Sequence, residues 1–259
     1  MPAQTIALFR FIMLGILSRK LALLVVVLIL VAVISGSFLA ELSIINGVSI
    51  VAAFVADFLR YSLALLLILV IASSVAEDYE FQQFERLLTM PLARWQYIAA
   101  QVLVVAFLSF LLSIAVLFVM TFYSGFSTAV YWAISLWMEL FLVGLLGFLA
   151  IMSLEKVPLA VFFSIAVYML AKMSGLITTI VSESVRLSDG SVTSRTVEVI
   201  FNGLLYLFPG TDSFAQNDVF FHSIDLFGSL AAQGASVLVY GGFIVAVSLV
   251  EFYRKEFNL

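Results

Sequence analysis

Residues 77–95, EDYEFQQFERLLTMPLARW, form a polar segment that separates two long apolar stretches of the chain. The segment contains acidic, basic and amide side chains, whereas its flanks are dominated by Leu, Val, Ile, Ala and Phe. A helix needs about 20 apolar residues to cross the hydrocarbon core of a bilayer, and each flank is long enough. The pattern therefore predicts two membrane-spanning helices joined by a polar segment at the membrane surface.

The rest of the chain has the same character. Of its 259 residues, 64% are hydrophobic and 11% are charged, which is too little polar surface to cover a soluble domain. The apolar stretches are continuous and do not alternate as the strands of an outer-membrane barrel do. We therefore predict an all-α polytopic membrane protein in which residues 1–259 form a single transmembrane domain. Its six predicted spans are Leu21–Ala40, Phe54–Ala76, Ile98–Phe122, Val130–Met152, Leu159–Val181 and Leu230–Val250.

The N-terminal region resembles a signal peptide, because Arg19 and Lys20 precede an apolar run. That run is longer than the 7–15 residues of a typical signal-peptide core, and about 20 residues lie ahead of it. We interpret it as an uncleaved first span. Residues 1–20 are predicted to form an interfacial segment.

The positions of the basic residues predict the orientation, because Lys and Arg accumulate on the cytoplasmic side. This predicts that both termini and the segments 77–97 and 153–158 are cytoplasmic, as in a protein of the bacterial inner membrane. The basic residues near these positions are Arg10, Arg19, Lys20, Arg86, Arg94, Lys156, Arg254 and Lys255, against Arg60, Arg186 and Arg195 toward the other side.

Residues 182–229 are predicted to lie outside the membrane on the far face. Within them Val197–Phe208 is apolar but too short to span, and Pro209 and Gly210 end it. This pattern favours a re-entrant or interfacial helix before the sixth span.

Residues 77–95 also have the features of a short amphipathic helix. Phe81, Phe84 and Leu88 share one helical face, Pro91 ends the helix, and Trp95 suits the headgroup level. A simpler interpretation is a cytoplasmic loop with aromatic anchors, and these features alone do not decide between the two.

The sequence ERLLTMPLARWQYI (85–98) resembles the signature of the exporter-type ABC transporter permeases, often called ABC type two. Gln82-Gln83 and Ala100-Gln101 replace the usual Gly-Thr and Gly-Lys pairs of that pattern, so the resemblance is to a divergent member. The six-span layout and LYLFPGTDSF (205–214) resemble the family as well. The matching positions are Glu80, Glu85, Leu87, Leu88, Pro91, Arg94 and Trp95.

The resemblance implies that residues 77–97 form a coupling helix between spans two and three. This helix would dock on a separate cytoplasmic ATPase subunit that binds ATP and Mg, while two copies of the chain form the substrate path as a homodimer. The chain itself would bind no cofactor, catalyse no reaction and contact no nucleic acid. The implied coupling residues are Glu80, Phe84, Glu85, Arg86, Leu87, Leu88, Pro91 and Arg94. An alternative function is a secondary transporter or channel that works without an ATPase.

Two charged residues lie inside predicted spans. Glu139 and Lys172 are each roughly 13 Å from the outer end of their span at 1.5 Å per residue. Because isolated charges are costly there, we predict that the two form a pair or share one polar cavity. A static salt bridge, a polar element of the substrate path and a snorkelling Lys172 remain open interpretations. Asp57 and Arg60 are expected to form an i,i+3 surface pair.

The sequence predicts no catalytic or metal site. It contains no cysteine, no GxxxxGK[ST] loop, no HExxH and no GxSxG. Its single histidine, His222, is expected to be structural. No motif identifies a substrate.

Overall fold

The structure, a computed structural model, describes residues 2–17, 21–42, 47–80, 94–187, 214, 217–220 and 226–254. In this part of the chain there are seven α-helices, one short 3₁₀ turn at Asn217–Phe220, and no strand. The helices are α1 (Pro2–Leu17), α2 (Leu21–Leu42), α3 (Gly47–Glu80), α4 (Arg94–Ser124), α5 (Phe126–Leu154), α6 (Val157–Leu187) and α7 (Leu226–Arg254).

Six of these helices, α2 to α7, are long and apolar enough to cross a membrane. In the described part of the chain, the predicted all-α architecture with six apolar helices of membrane-spanning length is therefore confirmed. Of the predicted coupling segment 77–97, residues 81–93 lie outside the described residues, and so does the whole of the predicted re-entrant helix Val197–Phe208.

The second span is longer than its apolar core suggested. We predicted Phe54–Ala76, whereas α3 runs without interruption from Gly47 to Glu80 over 34 residues. Neither Gly nor Pro occurs between Val48 and Glu80, so no residue breaks the helix at either end of the apolar core. At 1.5 Å per residue α3 is about 50 Å long and exceeds the hydrocarbon thickness of roughly 30 Å.

Helix α5 lies at the centre of the bundle and packs against α3, α4, α6 and α7. Its close approach to its neighbours depends on two glycines. A Cβ on Gly144 would lie 2.6 Å from Val105 Cγ1 of α4, and one on Gly147 would meet the backbone of Ile68 in α3 at 3.5 Å. Small residues at such positions let membrane helices pack backbone to backbone.

Tight turns join α4 to α5 and α5 to α6. Gly125 adopts a φ of 80° at the first turn. Glu155 adopts the left-handed conformation at the second, where its N–H donates to the carbonyl of Ile151 at 3.0 Å. A left-handed residue that caps the last carbonyls is a common way to end a helix. These turns fix α4, α5 and α6 as consecutive antiparallel neighbours.

Helix α1 occupies the N-terminal segment that we predicted to be interfacial. It packs along α4, and Phe9 makes an edge-to-face contact with Phe107 at a centroid distance of 5.8 Å. Its location relative to the bilayer stays a prediction.

Candidate functional site

The described structure covers only the two ends of the predicted coupling segment. Glu80 is the last residue of α3 and Arg94 is the first residue of α4, and these two helices pack against each other. Both ends of the segment therefore continue directly into the helical bundle. The other predicted residues of the coupling and re-entrant segments lie outside the described residues: Phe84, Glu85, Arg86, Leu87, Leu88, Pro91, Pro209 and Gly210.

The predicted intramembrane residues Glu139 and Lys172 lie within the bundle and contact each other. Lys172 Nζ is 2.9 Å from Glu139 Oε1, and the Glu139 side chain has no exposed surface. The Tyr168 hydroxyl donates to the same oxygen at 2.8 Å. Tyr168 and Lys172 are four residues apart on α6, so both reach the carboxylate from one helical face.

Arg60 belongs to the same network. The expected i,i+3 pair of Asp57 and Arg60 is present, but Arg60 is buried and not on the surface as predicted. Arg60 Nη1 does lie 3.2 Å from Asp57 Oδ1, but the Arg60 side chain is only 7% exposed, against 40% for Asp57. Arg60 Nε lies 3.7 Å from Glu139 Oε2. Arg60 is buried because it follows the inner face of α3, where Leu63 and Leu67 are also fully buried.

The Arg60 guanidinium is enclosed by aromatic rings. Its central carbon lies 6.0 Å from the centroid of the Tyr61 ring and 5.9 Å from that of Trp132. A cation within about 6 Å of an aromatic face is attracted by the ring quadrupole. The rings therefore compensate part of the cost of taking this charge out of water.

Two residues between α6 and α7, Phe214 and Asn217, contact members of the network. Lys172 Nζ donates to the carbonyl oxygen of Phe214 at 3.2 Å. Asn217 Nδ2 donates to Asp57 Oδ2 at 2.6 Å. These contacts connect α3 and α6 to residues that precede α7.

We define the buried charge network as Arg60, Tyr168, Lys172 and Glu139 together with Asp57 at its rim. Its two cations balance its two carboxylates. Burial of such groups is costly, and removal of one member leaves an uncompensated charge, so the network holds α3, α5 and α6 in one arrangement.

Two members of the network, Arg60 and Tyr168, were not predicted from the sequence, nor was the contact of Asn217 with Asp57. Arg60 could have been found, because it is in register with Leu63 and Leu67 on an apolar helical face. Tyr168 could have been found from its i,i+4 spacing to Lys172. Asn217 carried no usable signal, because its contact with Asp57 joins residues 160 positions apart.

A second polar contact joins α5 to α7. The Tyr131 and Ser229 hydroxyls lie 2.9 Å apart, and Ser135 donates to Gln233 Oε1 at 2.7 Å. The two pairs repeat every four residues along both helices. They form a polar seam, defined by these four residues, along an otherwise apolar interface.

The described part of the bundle contains a polar pocket and an apolar groove. The polar pocket, of about 170 Å³, is lined by residues that include Ser49, Tyr123, Thr128 and Phe220. An apolar groove of about 450 Å³ runs between α1, α4 and α5 and is lined by side chains such as Phe9, Phe110 and Trp137. In the part of the chain that the structure describes, no group of His, Asp or Glu residues could hold a metal ion.

Comparison of the sequence with protein-family models and with curated proteins finds no match.

Proposed function

We propose that this chain is the transmembrane permease subunit of an ATP-driven ABC transporter, of the exporter class. Two copies would form the substrate path, and a separate cytoplasmic ATPase subunit would bind ATP and Mg. The chain itself would be non-catalytic. The resemblance of residues 85–98 to the coupling signature motivates this proposal, and the continuous helix α3 is the structural observation that supports it.

Helix α3 connects the predicted coupling segment to the buried charge network. Its C-terminal end leads directly into the predicted coupling segment, and Arg60 on its inner face is part of the buried charge network. About 30 Å of uninterrupted helix separates Arg60 from Glu80 at 1.5 Å per residue. A displacement at the coupling segment would reach the network as a rigid-body motion of α3, since a packed helix does not absorb it locally.

Helix α4 gives the segment a second connection to the bundle. Tyr97, one turn from the start of α4, stacks on Phe252 at the end of α7 with centroids 5.7 Å apart. Gln101 Nε2 donates to the Tyr97 hydroxyl at 3.1 Å, and both side chains are buried. Motion of the segment would therefore be passed to α7 as well as to α3.

A binding and reconstitution experiment tests the proposal. The chain is co-expressed with any ABC ATPase that is encoded beside its gene, co-purification of the two is scored, and ATP hydrolysis is measured in proteoliposomes. We expect Glu85→Lys to abolish co-purification or to reduce permease-dependent ATP hydrolysis by about tenfold, because charge reversal at a docking surface costs more than 1.4 kcal/mol.

Glu155→Lys is the matched control, because Glu155 lies in the α5–α6 turn that we expect on the same membrane face. It should leave binding and hydrolysis unchanged. Transport that persists without nucleotide after residues 81–93 are replaced by a Gly/Ser linker would contradict the proposal.

A second candidate is a secondary transporter or channel that needs no ATPase. The buried charge network is the observation that favours it, because ionisable residues inside a bundle often mark ion pathways. In that case Glu139→Gln would abolish ion-driven flux in proteoliposomes that contain neither ATPase nor nucleotide. An ATP requirement for all transport would exclude this candidate.

A further inference from the structure

We propose that Arg60 and Trp132 form the floor of a binding site for an anionic group, reached from the polar pocket at the outer end of the bundle. As part of a transport path this site rests on the proposed function. Its ability to bind an anion does not, and it can be tested in the isolated chain.

Unsatisfied donors identify the site. Arg60 Nε and Nη2 and Trp132 Nε1 are buried and have no hydrogen-bond acceptor in the structure. Arg60 is 6% exposed and Trp132 is not exposed at all. Glu139 Oε2, which also lacks a hydrogen bond, lies 3.7 Å from Arg60 Nε and is the acceptor nearest to that donor. Buried donors nearly always have a partner, so Arg60 Nη2 and Trp132 Nε1 point to a missing acceptor.

The charges also favour an anion. Lys172 is held by Glu139 at 2.9 Å, deep in the bundle, whereas the closest carboxylate to Arg60 is the half-exposed Asp57. Solvent screens Asp57 more than it screens Arg60. Lys172 and Glu139 offset each other, so the charge of Arg60 is offset only by the partly exposed Asp57 and by the more distant Glu139 Oε2 at 3.7 Å. A guanidinium with free N–H groups binds carboxylate or phosphate oxygens through charge-assisted hydrogen bonds.

A polar route leads toward the site. The pocket of about 170 Å³ is bordered by Ser49, Tyr123 and Thr128, and Phe220 forms part of its wall. The Phe220 ring also packs on Trp132 with centroids 6.5 Å apart. Phe220 thus separates the pocket from Trp132 and Arg60, and a rotation of this side chain would connect the two.

Iodide quenching of Trp132 fluorescence tests the site directly, because iodide is both an anion and a quencher. Trp95→Phe and Trp137→Phe are combined so that Trp132 is the only tryptophan, and the detergent-purified chain is titrated at constant ionic strength. We expect saturable quenching by iodide and none by caesium. In the same background Arg60→Gln should weaken the saturable component about tenfold or more.

The matched control is Arg254→Gln, which removes one exposed positive charge at the end of α7 and should leave the quenching unchanged. If Arg60→Gln does not fold, Arg60→Lys keeps the charge but loses the planar fork and should still weaken iodide binding. Purely linear quenching, equal quenching by caesium, or an Arg60 variant that binds iodide normally would overturn the proposal.

Competition then identifies the source of the anionic group. Suppression of quenching by inorganic phosphate or acetate in detergent indicates a free anion. Suppression only in nanodiscs that contain phosphatidylglycerol, and not in phosphatidylcholine nanodiscs, indicates a lipid headgroup. Because these measurements need no ATPase, their failure leaves the proposed function standing, and loss of ATPase coupling leaves the anion site standing.

Discussion

At the scale of single residues, the structure depends most on the carboxylate of Glu139, which contacts Lys172, Tyr168 and Arg60. Glu139→Gln should leave Lys172 without its countercharge and Arg60 with only the partly exposed Asp57, and should destabilise the protein by about 3–5 kcal/mol. Thermal unfolding in detergent measures the effect. Glu41→Gln, at an exposed position near the end of α2, is the matched control and should be close to neutral.

A double replacement tests whether Glu139 and Lys172 stabilise the protein as a pair or only as separate polar groups. Combining Glu139→Gln with Lys172→Met removes both charges, so the double variant should be more stable than Glu139→Gln alone. Strictly additive effects of the two replacements would show that the 2.9 Å contact contributes no coupling energy.

Tyr168 makes a smaller contribution to the same site. Tyr168→Phe removes the hydroxyl that donates to Glu139 at 2.8 Å but retains the ring and its packing. We expect a loss of about 1.5–3 kcal/mol, as for a hydrogen bond to a charged group. The same unfolding assay checks this, and a loss as large as that of Glu139→Gln would contradict the assigned role.

At the scale of the helices, the crossing of α4 and α5 depends on Gly144. A Cβ there would lie 2.6 Å from Val105 Cγ1 and 3.2 Å from Leu67 Cδ2, so Gly144→Ala should overpack the interface and cost about 1–3 kcal/mol. Gly242→Ala on α7 is the control, because nothing lies within 4 Å of its added methyl group. It should be neutral or slightly stabilising through helix propensity.

The polar seam gives a second prediction at this scale. Ser135→Ala and Gln233→Leu each remove one side of a buried contact between α5 and α7. A double-mutant cycle should give a coupling energy of about 0.6 kcal/mol, which is typical of hydrogen bonds between membrane helices. Ser236→Ala is the control, because the Ser236 hydroxyl bonds only to a carbonyl of its own helix. A coupling energy of zero would show that the contact between Ser135 and Gln233 does not stabilise the packing of α5 against α7.

At the scale of the whole molecule, the sequence was sufficient to predict the six long helices and to bring Glu139 and Lys172 together, but not the other contacts between helices. Continuous apolar runs identify spans by length alone, which is why all six were found. The depth of Glu139 and Lys172 also follows from counting residues along a helix. The contact between Asn217 and Asp57 could not be predicted, because it joins segments far apart in the chain. The burial of Arg60 was not predicted, because its i,i+3 spacing to Asp57 was interpreted as a surface pair. Its register with Leu63 and Leu67 on the apolar face of α3 was not considered.

The orientation in the membrane is the prediction with the widest consequences, and the chain is suited to testing it because it contains no cysteine. Phe126 and Glu155 are exposed and lie at opposite ends of α5, beside the two tight turns. If the distribution of basic residues sets the topology, Phe126→Cys should react with a membrane-impermeant maleimide in intact cells. Glu155→Cys should react only after the membrane is permeabilised. The reverse pattern would place residues 77–97 outside the cell, beyond the reach of a cytoplasmic ATPase, and would exclude the proposed coupling mechanism.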